Sequence, residues 1–327
     1  MNALTKKAST VAILAAITAP GLAMADATVY GKAHLSFGSV SEDDGTNDNS
    51  SIAITNHKSR VGIKGDIDTD GTLKVVYKLE WEIDMDDNAK SSDDHIKSRN
   101  QYVGLKDSWG EVRIGRDDSP YKTAAKKKIE FLGDTWADYN NIIDKGQDTR
   151  NDNSISYRVK MGPGKLGIMY AAGDDTPAAE NAGAGTSIGY DAEFGNFGFA
   201  LATQTIEITP TNDETGTKLV LAYKMGGTQF GLAYETVEDD GTLDDTNTFL
   251  AVKHKMSDKD SIKFAYGTKD QGLADDATMT ALAYNHSLNK AVSLYGLWVS
   301  GADNGMLDES KLTGDGSALV AGVIAKF

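Results

Sequence analysis

Leu73-Lys74-Val75-Val76-Tyr77-Lys78-Leu79-Glu80-Trp81 settles how this chain folds. Leu73, Val75, Tyr77, Leu79 and Trp81 fall on one side of an extended backbone, and Lys74, Lys78, Glu80 and Glu82 on the other. Successive side chains of a strand point to opposite faces, so this alternation marks a strand lying between two different media. The same pattern recurs in both directions from it. Val29, Ala33, Leu35 and Phe37 oppose Lys32, His34 and Ser36, and Ile155, Tyr157 and Val159 oppose Ser156, Arg158 and Lys160. Leu219, Leu221 and Tyr223 oppose Lys218 and Lys224; Phe230, Leu232 and Tyr234 oppose Glu235; Ile262, Phe264 and Tyr266 oppose Lys263.

The connections between such segments are of two kinds, and they alternate. Short ones lie near 66–72, 106–110, 160–165, 194–197, 224–229, 255–261 and 287–291. Long ones lie near 39–51, 83–98, 116–153, 172–185, 205–216, 237–246, 268–277 and 300–316. Seven turns and eight loops join sixteen strands, with short turns at one end and long loops at the other. That is the pattern of an outer-membrane barrel. The expected fold is all-β, a transmembrane antiparallel β-barrel of 16 strands. A barrel of that width is too wide for side chains to fill and leaves an aqueous channel. Closure also pairs every backbone group, which lipid requires. A soluble β-sandwich or lectin-like protein would alternate too, but with more apolar residues facing one core and fewer inward charges.

The two ends of the chain agree with this reading. Residues 1–25 have the form of a secretory signal: Lys6 and Lys7, a short apolar core from Val11 to Ile17, and Ala23-Met24-Ala25 at the cleavage position. Residues 26–327 would then be one barrel domain, its last strand running from Ser317 to the aromatic Phe327. Past the signal no apolar run approaches the ~18 residues of a spanning helix, but alternating strands hide a membrane signal from any hydropathy window. Gly is frequent (34) and Pro rare (5), as many strands and turns require, and no linker or second domain is visible. The absence of Cys removes disulfide and thiol chemistry. Loss of Lys6 and Lys7 takes the formal charge from −15 to −17, which argues against nucleic-acid binding.

Loop 116–153 is the longest, well beyond the ~15 residues at which an unstructured connection is uncommon. It carries Tyr121, Phe131, Trp136, Tyr139, Ile142 and Ile143, which need a surface to pack on. The expectation is that this loop folds into the lumen against the wall, narrowing the pore. Several separate motifs resemble the general diffusion porins of Gram-negative bacteria. They are Val29-Tyr30-Gly31-Lys32, Arg60-Val61-Gly62-Ile63-Lys64-Gly65, Tyr102-Val103-Gly104-Leu105-Lys106, Gly115-Arg116 and the terminal Phe327. Ile129-Glu130-Phe131-Leu132-Gly133-Asp134-Thr135 resembles the family's third-loop segment, usually Pro-Glu-Phe-Gly-Gly-Asp-Thr. The resemblance spans the mature chain and is clearest over residues 28–160.

The resemblance implies an outer-membrane homotrimer, in contact with lipid and lipopolysaccharide, whose pore eyelet sets basic wall residues against acids on the third loop. Lys32, Arg60, Arg99 and Arg158 stand at the matching wall positions, and alternation independently puts Lys32 and Arg158 on the polar face. On the loop, Glu130 matches a family acid and Asp134 follows it. A transverse field across such a gap orders water and favours small polar solutes. The chain departs from the pattern at Lys126-Lys127-Lys128, where the family commonly has an acid. These lysines tilt the eyelet towards anions, and neutralising all three should raise cation preference. Acidic clusters in the outer loops (Asp43, Asp44, Asp86, Asp87, Asp93, Asp94, Asp239, Asp240, Asp244, Asp245) pull the other way, so selectivity stays open.

Three motifs are set aside. Gly185-Thr186-Ser187-Ile188-Gly189 fits a nucleophile elbow, but no helix follows it. Asp66, Asp68, Asp70 and Gly71 begin like a calcium loop, yet the twelfth position is Tyr77 instead of a bidentate Glu, and a hairpin turn fits better. His34, His57, His95, His254 and His286 lack ligand spacing. Aromatics near strand ends, Tyr30 and Tyr102 among them, suit interface girdles. No enzyme, cofactor or metal site is expected. The main reading is a water-filled channel passing small hydrophilic solutes and ions by passive diffusion. A substrate-selective channel, for anions such as phosphate or for small oligosaccharides, is the alternative. A sugar channel needs an inward aromatic track, for which only Trp136 and Tyr139 leave room. A non-conducting adhesin or structural protein would fill its lumen and would not need so many inward charges.

Overall fold

The computed structural model describes residues 27–43, 48–86, 95–143, 147–173, 183–209, 212–241, 244–270, 276–302 and 315–327. The expected signal at 1–25 and the loop acids Asp44, Asp87, Asp93 and Asp94 lie outside them, as does the side chain of Asp43. Among the described residues seventeen strands form one antiparallel sheet. They are β1 (Thr28–Asp43), β2 (Asp48–Asn56), β3 (Arg60–Asp68), β4 (Lys74–Ile83), β5 (Ile96–Asp107), β6 (Gly110–Asp118), β7 (Arg150–Met161), β8 (Gly164–Ala172) and β9 (Ala184–Phe194), followed by β10 (Phe197–Thr209), β11 (Asn212–Met225), β12 (Thr228–Asp239), β13 (Asp244–Lys255), β14 (Asp260–Lys269), β15 (Ala277–Ser287), β16 (Val292–Ala302) and β17 (Asp315–Lys326).

β2 and β3 both pair with β1, on either side of a break at residues 57–59. They are two halves of one stave, so seventeen segments make the sixteen staves that the turns require. β17 pairs with β1 from Lys32↔Lys326 to Asp43↔Asp315, and the sheet closes. The last residue completes the seam. Gly31 N–H donates to Phe327 O at 2.8 Å, and Phe327 N–H donates back at 3.1 Å. The Phe327 ring lies over Gly31, where a Cβ would stand 2.3 Å from it, so a larger residue on β1 here would displace the ring from its seat.

One face of the hoop is greasy. Phe37, Ile54 and Leu319 are 57%, 59% and 64% exposed, and the outward positions of the other staves are similarly Leu, Ile and Val. In water so continuous an apolar belt would be untenable; lipid accounts for it. The other face carries charges along β1 and β3–β7 and small residues further on, among them Ala200, Ala202, Ala233, Ala251, Ala265 and Ala281. Tyr30 and Tyr102 belong to this face rather than to an outer girdle. The Tyr30 hydroxyl donates to Glu80 at 2.8 Å, and Arg113 lies 4.4 Å from the Tyr102 ring centre.

The short turns fall where expected. The connections near 39–51, 205–216 and 237–246 are shorter than expected because their strands run on. Between β10 and β11 only residues 210–211 remain. Cross-strand hydroxyl pairs such as Thr205–Thr215, 3.0 Å apart, let a polar sequence continue the ladder past the apolar belt.

Three alternate staves carry an extra residue. Residues 57–59 break the second stave, with Lys58 at φ 52°. β5 inserts one residue between its pairings at Ser98 and Gln101, and β7 inserts one between Asn151 and Ser154, with Asn153 at φ 47°. Such bulges re-aim side chains that strict alternation would place elsewhere.

Candidate functional site

The segment between β6 and β7 is ordered by local chemistry first. Ser119 caps helix α1 (Pro120–Ile129), its hydroxyl accepting from Lys122 N–H at 3.0 Å, and Pro120 takes the first turn. Asp138 caps a 3-10 turn at Tyr139–Asn141. Tyr121, Ile129, Trp136, Tyr139, Ile142 and Ile143 are all buried, each at most 6% exposed, so this loop has its own apolar core. That core rests on the alanines of the small-residue face.

Contact this close depends on missing side chains. On β12 a Cβ at Gly231 would sit 2.1 Å from the Lys128 carbonyl oxygen, and on β9 one at Gly189 would sit 2.6 Å from that of Pro120. Gly231→Val should therefore lift the C-terminal end of α1 off the wall. We expect a loss of about 1–3 kcal/mol, read as a lower urea midpoint with an unchanged slope.

Polar anchors fix the loop further. Asp148 is fully buried and receives Lys122 at 3.1 Å, Lys218 of β11 at 3.0 Å, the Asn140 amide at 2.9 Å and the Tyr139 hydroxyl. Burial works to raise its pKa, but Lys122 and Lys218 outweigh that and keep the carboxyl ionised far into acid. The Tyr121 hydroxyl donates to Glu235 of β12 at 2.5 Å, and Tyr121 N–H donates to Ser187 Oγ at 3.0 Å. The serine of the apparent nucleophile elbow is thus a seat for the loop. Asp66 and Asp68, the start of the apparent calcium loop, are bound by Lys74 at 3.0 and 2.9 Å across a hairpin.

At the loop's tip Asp134 has a left-handed backbone (φ 53°), held by its N–H on Asp138 Oδ2 at 2.7 Å. Lys32 of β1 reaches its carboxylate at 2.5 Å and Arg60 of β3 at 3.1 Å. Burial opposes ionisation there, but Arg60 and Lys32 hold the carboxyl well below its usual range. Arg99 of β5 is bound by Glu80 at 2.9 Å and Glu82 at 2.5 Å, so the wall alternates acid and base instead of being purely basic.

Arg99, Lys126, Glu130 and Asp134 line one cavity of about 120 Å³, together with Lys58, Lys122, Arg150, Glu82 and Asp138. Lys32 and Arg60 join it through Asp134. Arg158 does not. It binds Asp117 at 2.8 Å and, with Lys127, lines a separate cavity between α1 and β7–β9. Lys128 is buried against Asp191 at 2.6 Å. The three consecutive lysines therefore have three different environments, spread around a helix. Trp136 is buried beside His57, with ring centres 6.3 Å apart, which removes it from any solute track.

Burial pushes the Glu130 carboxyl up to about 8; Lys126, 4.0 Å away, only partly offsets this, while Asp138 and Asp134 add to it. Lys58, Lys122, Arg150, Glu82 and Asp138 escaped the sequence reading. Lys58 and Arg150 adjoin bulges, so alternation misplaces them. Lys122 had a readable signal, one helical turn before Lys126.

The family described as Gram-negative porin matches residues 8–297. Over 138 residues the chain is 30% identical to the major outer membrane protein P.IB of Neisseria meningitidis serogroup B / serotype 15 (strain H44/76), covering 39% of this chain and 40% of that protein. It is 32% identical over 171 residues to outer membrane porin protein 32 of Delftia acidovorans, 48% of each chain. The aligned stretches span less than half the length of these curated relatives. Among solved structures, an anion-selective porin from Comamonas acidovorans shares the fold with a TM-score of 0.77 at 22% identity, over 92% of this chain and 99% of that one. A closed hoop of sixteen staves and a family match over most of the chain lead to one assignment: this protein belongs to the Gram-negative porin family.

Proposed function

We propose that the chain forms a water-filled channel in the outer membrane, through which small hydrophilic solutes and ions diffuse passively, and that it does no covalent chemistry. The single observation carrying this is the closed hoop with an apolar belt outside and a charged, cavity-bearing inner face. On this reading the segment 119–149 lies in the lumen and the cavity between Arg99 and Glu130 is the eyelet. Lys32, Arg60, Arg99, Glu130 and Asp134 set the eyelet field with Lys126; Arg158, Lys127 and Lys128 act outside it. Residues 1–25 are the export signal of a barrel domain at 26–327. We also propose a homotrimer, consistent with the family and with the well-exposed apolar side chains Phe37, Ile52, Ile54 and Leu319 lying together on β1, β2 and β17. Liposomes carrying the protein should swell in isotonic solutions of small sugars at rates that fall smoothly with solute size. Swelling with one sugar alone would instead favour a dedicated substrate channel.

The eyelet favours anions. Five cations, Lys58, Arg99, Lys122, Lys126 and Arg150, face four acids, Glu82, Glu130, Asp134 and Asp138. With its pKa near 8, Glu130 is mostly protonated at neutral pH and adds little negative charge. A raised acid pKa means the charge appears only as pH climbs through that value. Anion preference should therefore weaken between pH 7 and 9, read from the reversal potential in a KCl gradient. In Glu130→Gln the preference should stay flat over that range.

A further inference from the structure

Seven lysines lie on strands β11–β17: Lys218, Lys224, Lys253, Lys255, Lys263, Lys269 and Lys326. Four are paired with acids. Lys218 has Asp148 at 3.0 Å, Lys224 has Glu193 at 3.2 Å, Lys255 has Asp258 at 2.9 Å and Lys269 has Asp245 at 3.7 Å. The other three form a group of their own. Lys253 of β13 and Lys263 of β14 stand directly opposite in the ladder, hence on one face. That face is the inner one, because Lys263 is in turn opposite Ala283, which is buried beneath the lumen surface. Lys326 of β17, three staves away and directly opposite Lys32 of β1, adds positive charge to the same inner face, and among the described residues the charged groups acting on Lys263 are Lys253 and Lys326, with no acid among them.

Like charges directly opposite in a sheet are destabilising. Among the described residues the facing pair Lys253 and Lys263 has no counter-charge, and such a pair is suited to an anion supplied from solution. A polyvalent anion suits it better than chloride, since one molecule can meet several cations at once. We propose that Lys253 and Lys263, with Lys326 adding charge, form a binding site for small phosphate-type polyanions on the inner wall near the rim of short turns. Lys263 is three residues from the start of β14, Lys253 two from the end of β13, and Lys326 ends β17, so all three lie at that rim. As a way station in the water path this site rests on the channel reading; as a binding site it does not.

Calorimetric titration of the detergent-purified trimer or monomer with inorganic pyrophosphate tests it without conduction. We expect saturable binding that weakens roughly tenfold or more in Lys253→Gln/Lys263→Gln, is retained in Lys263→Arg, and is unchanged in Lys255→Gln. Equal affinity in the double variant and the parent, or no binding by the parent, overturns the site. A protein that binds pyrophosphate in this lysine-dependent way yet carries no current in a bilayer would keep the site and refute the channel. Current without lysine-dependent binding would do the reverse.

Discussion

Asp148→Ala should free the third loop from the wall. The carboxylate is fully buried and gathers Lys122, Lys218, Tyr139 and Asn140 around it. Its removal takes from Lys218, also fully buried, the carboxylate that binds it at 3.0 Å. Breaking a buried pair from one side costs about 3–5 kcal/mol, because the remaining charge stays desolvated. The barrel has a long hydrogen-bonded seam and should survive. The loop has a smaller core and is secured at its tip by Asp134 with Lys32 and Arg60. We therefore expect larger and noisier single-channel currents, and proteolytic nicking between Pro120 and Thr149, in the variant only. Lys218→Met combined with Asp148→Leu should restore part of the loop's order, since the buried Lys218 charge is gone while Lys122, Tyr139 and Asn140 still lack their acceptor.

Lys126→Glu should abolish the anion preference. The substitution turns five cations and four acids around the eyelet cavity into four and five, and with Glu130 still largely protonated at neutral pH the ionised groups balance at four and four. The reversal potential in a KCl gradient should move from the anion side to near zero. Lys127→Glu faces the cavity shared with Arg158 and should shift it less. Lys128→Gln should leave selectivity unchanged while lowering stability, since its partner Asp191 lies behind the helix. From the sequence the three lysines form one cluster; on the helix each turns about 100° from the last, and that rotation separates their effects.

How far the sequence could be read depended on how local the determining physics was. The staves were legible because an interface between two media imposes period two directly on the residues, as at Leu73–Trp81. The loop's burial was legible from its aromatics. Its landing surface was legible in principle, since Gly189, Gly231 and a run of alanines mark where backbone meets backbone, but only once inward positions are known. The eyelet was harder. Lys58, Arg99 and Arg150 adjoin bulges, each a single extra residue that no composition signals and that reverses alternation beyond it. The Arg99 pairings with Glu80 and Glu82 were hidden for another reason: they join neighbouring staves, and register emerges from closure of the whole sheet. Asp148 looked like one of many loop acids, because burial, not residue type, singles it out.

Single-channel recording in a planar bilayer tests the central claim most directly. A hoop of staves with a wet interior narrowed by its third loop predicts discrete, ohmic current steps in KCl that small polyethylene glycols reduce and large ones, excluded from the lumen, do not. A membrane that stays silent although folded protein has inserted would contradict it.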